Sequence, residues 1–183
     1  MNVFARARAA AYGLLLVTLP VPCAAQSNAT TGMYKVVRVP EVRLDGRLDN
    51  PLWLAADSIT ELRQREPLEG APASERTVIK VIRDATTIYV AVRAYDRDMS
   101  SVRASQLRRD ADLSSDDNVT VLIDSYRDRR SAFLFRTNPN AAMWDAQLVG
   151  LDNINENWNG IWDVATRRDS ASWVAEFAIP IRT

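Results

Sequence analysis

Beyond Thr77 the chain alternates apolar and polar positions with period two. Ile88, Val90, Val92 and Ala94 fall on one side of a predicted strand, with Tyr89, Ala91 and Arg93 on the other. Val119, Val121 and Ile123 repeat the pattern, as do Trp173, Ala175, Phe177 and Ile179. Successive strand residues point to opposite faces, so one face of each segment meets a core and the other meets water. The same reading predicts strands over 77–83, 131–137, 142–149 and 161–167, with short ones near 36–39 and 58–62. Turn formers separate them: Asp84-Ala85-Thr86, residues 124–130, Asn138-Pro139-Asn140 and Asp169-Ser170. About eight or nine short strands with little helix indicate an all-β protein, an antiparallel β-sandwich of the jelly-roll or immunoglobulin-like kind. One short helix is expected near 50–56, capped by Asp49 or Asn50, with Pro51 in its first turn and Leu52, Trp53 and Ala56 inward.

The first 25 residues follow a different plan. Arg6 and Arg8 precede an apolar run from Ala9 to Val21, and small residues follow. That is the layout of a secretory signal peptide with cleavage after Ala25. The run is shorter than the roughly 20 residues a membrane span needs. A lipoprotein signal ending at Cys23 is the other reading, and Pro22 directly before the cysteine fits it poorly. Residues 26–35 are small and polar and read as a flexible mature N-terminus, leaving 36–183 as one domain. The expected location is therefore exported.

Composition narrows the chemistry. The chain has no histidine, which excludes a Ser-His-Asp triad, imidazole metal ligands and histidine-ligated haem. Its one cysteine, Cys23, lies in the predicted signal. Removing Arg6 and Arg8 from 23 basic residues leaves 21 against 23 acidic ones, a net charge of −2. Nucleic-acid binders carry a basic excess, so this balance argues against one. No short carboxylate spacing marks an acid and a nucleophile for glycoside hydrolysis, so catalysis by the chain itself is not expected.

Three groups could carry function. Trp144 and Trp158 lie near Asn155 and Asn157, and aromatic faces with amides are what sugar C–H faces and hydroxyls require. The alternative is a core role, since tryptophan has a large surface to bury and usually sits inside. Trp53 and Trp173 are expected in the core. The strand partners of Trp144 (Ala142, Ala146 and Leu148) look core-facing, whereas Trp158 sits in an Asn-rich loop and is the better exposed candidate. Arg136 shares a strand face with Ala132 and Leu134, where a guanidinium can clamp a polar ligand or pair with a carboxylate such as Asp145. Asp96, Asp98 and Asp117 are calcium candidates without EF-hand spacing; solvated loop carboxylates are the alternative.

Six ordered motifs carry a resemblance: LDGRLDNPLW at 44–53, PASERTVIKVIRD at 72–84, TIYVAVRAYDRD at 87–98, DDNVTVLID at 116–124, NWNGIWD at 157–163 and WVAEFAIP at 173–180. Together they resemble the family 9 carbohydrate-binding modules, and in particular the family-9-like N-terminal domain of large exported bacterial proteins with a C-terminal outer-membrane β-barrel region. The resemblance implies a non-catalytic β-sandwich that binds polysaccharide or oligosaccharide chain ends, serves polysaccharide catabolism beside glycoside hydrolases and uses calcium in some members. It also implies a covalent continuation into a barrel, with the last strands of the sandwich missing from this chain. By position, Arg136 matches a strand arginine that contacts sugar, and Asp117 opens the motif D-x-V-E. Thr120 stands where that motif has glutamate and Ser114 near its first clamp tryptophan. The second clamp tryptophan would lie beyond Thr183. A structural or gating domain of a barrel protein, with no sugar site, is the alternative reading.

Overall fold

A computed structural model describes residues 33–40 and 42–182. The predicted signal and most of the predicted flexible N-terminus lie outside the described residues. The elements run β1 (Val37–Arg38), α1 (Pro51–Leu54), β2 (Thr77–Arg83), β3 (Thr87–Tyr95), β4 (Val119–Ile123), β5 (Ala132–Thr137), β6 (Met143–Val149), β7 (Asn153–Asn155), β8 (Asp163–Arg168) and β9 (Ser172–Pro180). They form two sheets, β1-β2-β3-β9-β8 and β4-β5-β6-β7. All pairs are antiparallel except β1 with β2. This is the sandwich that the alternation predicts. The segment 58–62 contributes only a bridge from Ile59 to Ile79, and β7 arises inside the stretch read as an Asn-rich loop.

Between the sheets, Val90, Val92, Trp173, Ala175, Phe177 and Ile179 of the first meet Phe133, Phe135 and Val121 of the second. Trp162 stacks on Phe177 at 5.7 Å and meets Phe135 edge-on at 5.4 Å, tying the two layers together. A carboxylate also lies between the layers. Asp145 pairs in register with Phe135, so it points inward, and it is 1% exposed. It accepts from Trp162 Nε1 at 3.1 Å, from the Gly160 N–H and from Arg109 Nη2. Buried charge is tolerated only when paired and hydrogen-bonded, and Asp145 is both.

The outer face of the first sheet is covered by the chain from Val42 to Ala56. Val42, Leu48, Trp53 and Ala56 pack on Ile82, Tyr89, Ala91 and Val174. The Asn50 side chain caps α1 by accepting from Leu52 N at 3.0 Å and Trp53 N at 3.2 Å. Those bonds satisfy first-turn donors and aim Trp53 at the sheet. Glu176 of β9 anchors the cover, accepting from Asp45 N at 2.9 Å, Gly46 N at 2.6 Å and Trp53 Nε1 at 2.7 Å. The sequence L-D-G…W therefore folds as it does because its turn and its tryptophan bind one buried carboxylate some 130 residues away.

Gly46 sits at φ +72°, and a Cβ there would fall 2.6 Å from Arg167 Cβ. Left-handed backbone strain and an overpacked contact combine, so Gly46→Ala is expected to destabilise the domain by about 2 kcal/mol in urea unfolding. An unchanged midpoint would refute the close approach.

Candidate functional site

The outer face of the second sheet brings Arg136 and Trp144 together. Register places Thr120, Arg136 and Trp144 in one row across β4, β5 and β6. Arg136 Nε donates to Thr120 Oγ1 at 2.8 Å, and its guanidinium lies 4.4 Å from the Trp144 ring centroid. Cation–π contact and the hydroxyl hold the planar fork in place. Among the described residues no protein acceptor takes its Nη hydrogens, which remain available to a ligand. Asp112 lies near enough to feel the Arg136 charge. The Ser114 N–H and hydroxyl, with that charge adding to them, hold the Asp112 carboxyl below the ordinary carboxylate range. The fork thus offers hydrogen-bond donors to a sugar hydroxyl, with the Asp112 charge in electrostatic range of it.

Beside this row the face is apolar. Leu122, Leu134 and Ala146 form the next row, then Ala132, Leu148 and Ile154. Leu122 is 57% exposed and Ile154 49%. Trp144 itself is 9% exposed, because Leu113 folds back over it with Leu134 and Ala146. The Ala142, Trp144, Ala146 and Leu148 side of β6 is therefore buried without facing the other sheet. Their apolar character was correctly legible; which side the main core lay on was not.

The other candidates separate. Trp158 packs against Phe133 at 4.9 Å and Phe135 at 5.9 Å, on the inter-sheet side of β5. It is half-buried there and on the opposite face from Arg136, so these two residues do not build one site. The loop position suggested exposure; the adjoining phenylalanines drew the indole inward. Asn155 pairs with Gln147 at the sheet edge, and its Oδ1 accepts from Asn157 N at 3.2 Å. Both asparagines are exposed and line an open groove with Ile154. Asp145 is no partner for Arg136, since the two point to opposite faces and Asp145 holds Arg109.

The three aspartates offered for calcium do not cluster. No group of three or more acidic side chains suited to a metal occurs among the described residues. Asp96 accepts from Asp98 N at 2.7 Å, and Asp98 accepts from Ser100 N at 3.0 Å and from its hydroxyl. Asp117 accepts from Arg103 N at 2.7 Å. Each carboxylate closes a local turn or fastens a loop, the reading of solvated loop groups. Sequence reasoning named Asp112 only among the loop carboxylates and did not link it to Arg136. Its approach to Arg136 depends on how the 105–113 segment folds over the sheet, and no local signal carries that.

The family model described as carbohydrate family 9 binding domain-like matches residues 44–183. No curated protein matches the chain. Among solved structures, a family 9 carbohydrate-binding module from Caldicellulosiruptor kristjanssonii in complex with cellotriose is similar, with a TM-score of 0.55 and 16% identity, over 81% of this chain and 67% of that one. A family 9 module from the same organism in complex with glucose gives 0.54 and 16%, over 81% and 69%. A Bacteroides uniformis protein described as carbohydrate-binding gives 0.62 and 13%, over 80% and 71%. At such identities the structural likeness carries the fold. The family match spans both sheets except β1, and the chain belongs to the carbohydrate family 9 binding domain-like family.

Proposed function

We propose that the Thr120–Arg136–Trp144 face of the second sheet binds the sugar. The class is given by the family: a non-catalytic carbohydrate-binding domain. The observation that carries the site is the guanidinium held over Trp144 with its Nη hydrogens unclaimed. Sugar hydroxyls would accept from the fork, while C–H faces rest on the exposed Leu122. The related modules solved with cellotriose and glucose support a glucan-type oligosaccharide as the first ligand to try.

The protein's setting is part of the same proposal. Residues 1–25 direct export with cleavage after Ala25, and the domain serves polysaccharide catabolism at the envelope of a bacterium, in a larger protein that continues into an outer-membrane barrel. The layout of Arg6, Arg8, the run from Ala9 to Val21 and Ala25 supports export.

Isothermal titration of the purified protein with cello- and xylo-oligosaccharides tests the site. Arg136→Ala is expected to weaken binding about tenfold or more, the worth of a charged hydrogen-bond donor. Arg136→Lys keeps the charge, loses the fork and should recover only part of it. Retained affinity in Arg136→Ala would move the site elsewhere. A second reading, a gating domain without a sugar site, draws on the near-complete burial of Trp144 and on Thr120 and Ser114 at the expected positions. It predicts no heat with any glycan.

A further inference from the structure

The opposite side of the molecule carries a second pocket that the proposed sugar face does not use. It opens on the outer face of the first sheet, between β3, β9, β8 and the turn at Gly46, with a volume near 210 Å³. Arg93 and Arg167 stand on either side of Val174 in one row across the sheet. Arg47 closes the third side from the covering loop. The Nε of Arg93 is buried and has no hydrogen-bond partner. Among the described residues the ion pairs are Arg97 with Glu75 and Arg109 with Asp110 and Asp145, and none of them involves Arg47, Arg93 or Arg167. Three arginines thus line one cavity without an ion pair of their own, the Asp169 charge near Arg93 being the one that acts on them, and Arg93 keeps a buried donor unmet. Such an arrangement gains from an oxyanion, which a planar guanidinium binds through two parallel hydrogen bonds.

The remaining walls narrow the class of anion. Asp49 and Asp169 also line the pocket. Asp169 is committed to its own turn, accepting from Ala171 N and Ser172 N at 2.8 Å each and from Ser172 Oγ at 3.0 Å. Asp49 has no side-chain hydrogen bond among the described residues and can accept from a hydroxyl. Two carboxylates would repel a compact, multiply charged ion such as phosphate. They suit a ligand with a single carboxylate at one end and hydroxyl donors at the other. Leu48 and Val174 supply an apolar floor for C–H groups. We infer that this pocket binds a sugar acid, a hexuronate carboxylate between Arg93, Arg167 and Arg47 with its hydroxyls toward Asp49.

The inference reaches beyond the neutral-sugar face and is separable from it. Side-chain Nε–Hε resonances of arginine in the purified protein would be followed by NMR during titration with D-glucuronate, D-glucose and inorganic phosphate in turn. Glucuronate is expected to shift the Arg93 Nε–Hε resonance saturably, and glucose to leave it in place. Arg47→Gln, on the exposed loop, is expected to weaken glucuronate about tenfold, as loss of one charge-assisted pair should. Arg136→Ala is expected to leave glucuronate affinity unchanged, whatever it does to neutral oligosaccharides. An Arg93 resonance indifferent to glucuronate would overturn the inference. So would phosphate binding as tightly as glucuronate, or an Arg47→Gln protein with undiminished affinity.

Discussion

Replacing Glu176 by alanine is expected to lower the unfolding free energy by about 4 kcal/mol. Glu176 is 0% exposed and accepts from two backbone N–H groups and one indole N–H. Its removal orphans three donors beneath the covering loop, and a buried donor without a partner costs about 1–3 kcal/mol. Part of that loss is offset, because the carboxylate no longer has to be buried. Burial is the largest influence on Glu176 and pushes its carboxyl above the ordinary value against the pull of the Asp45, Gly46 and Trp53 hydrogen bonds. The sign with pH follows. A carboxyl raised in the folded state contributes most below its unfolded value, and the contribution fades as pH rises through the elevated one. The penalty of Glu176→Ala should therefore be larger near about pH 4 than in mildly alkaline buffer. Trp53→Phe removes one of the three donors. In a double-mutant cycle with Glu176→Ala it should show coupling of about 1–2 kcal/mol, measured by urea unfolding. Additive losses would mean that the indole and the carboxylate act independently, against the geometry.

How much of this could be read beforehand differs from element to element. β2 spans Thr77–Arg83, the predicted range, because Val78, Ile79, Val81 and Ile82 sit between unambiguous turns. Val90 and Val92 announced their face correctly for the same reason. In β4 the alternation of Val119, Val121 and Ile123 held, whereas in β6 it misled. Both sides of β6 are apolar or buried, one under Leu113 and one in the main core, so period two alone cannot say which is inner. The sequence left Asp145 and a polar ligand as equal options for Arg136, because neither side of β6 was marked. Asp145 faces inward because Trp162, Gly160 and Arg109 supply donors from 15 to 36 residues away. Arg136 and Trp144 were both singled out from sequence, and adjacency across β5 and β6 makes them one feature. The link from Glu176 to Gly46 was legible only as two separate motifs. Nothing local states that a turn near residue 46 and a strand near residue 176 share a hydrogen bond. The arginine pocket was illegible for a related reason: Arg47, Arg93 and Arg167 come from three distant segments in a chain where arginine is common throughout.

Asp116→Ala should cost about 3 kcal/mol and flatten the acid limb of the stability profile. Asp116 is 6% exposed and accepts from Ser105 N at 2.9 Å, Ser105 Oγ at 2.8 Å, Gln106 N at 3.0 Å and Asn138 Nδ2 at 2.7 Å. Asn138, fully buried, returns the favour to the turn after β5, its Oδ1 accepting from Asn140 N and Ala142 N at 3.0 Å each. The pair thus fastens the 105–118 excursion to the β5–β6 turn, the two segments that place Asp112 and Arg136. Burial pushes the Asp116 carboxyl upward, but the hydrogen bonds from Gln106, Ser105 and Asn138 outweigh it and hold the group well below the ordinary carboxylate range. A depressed folded value contributes stability that is fully present above the unfolded value, about 4, and is lost as pH falls below it. Wild type should therefore lose stability on acidification more steeply than Asp116→Ala, in chemical unfolding read across that range. Asp116→Asn tests the sign of the contacts. An amide keeps the shape but turns one acceptor into a donor facing the Ser105 and Gln106 N–H groups or the Asn138 amide, so it should be no better tolerated than alanine. Equal acid slopes for wild type and Asp116→Ala would remove Asp116 as the acid-sensitive latch. If the latch holds, the alanine variant should also bind oligosaccharide more weakly without losing any group that touches it, because Asp112 and Arg136 are no longer held in one frame.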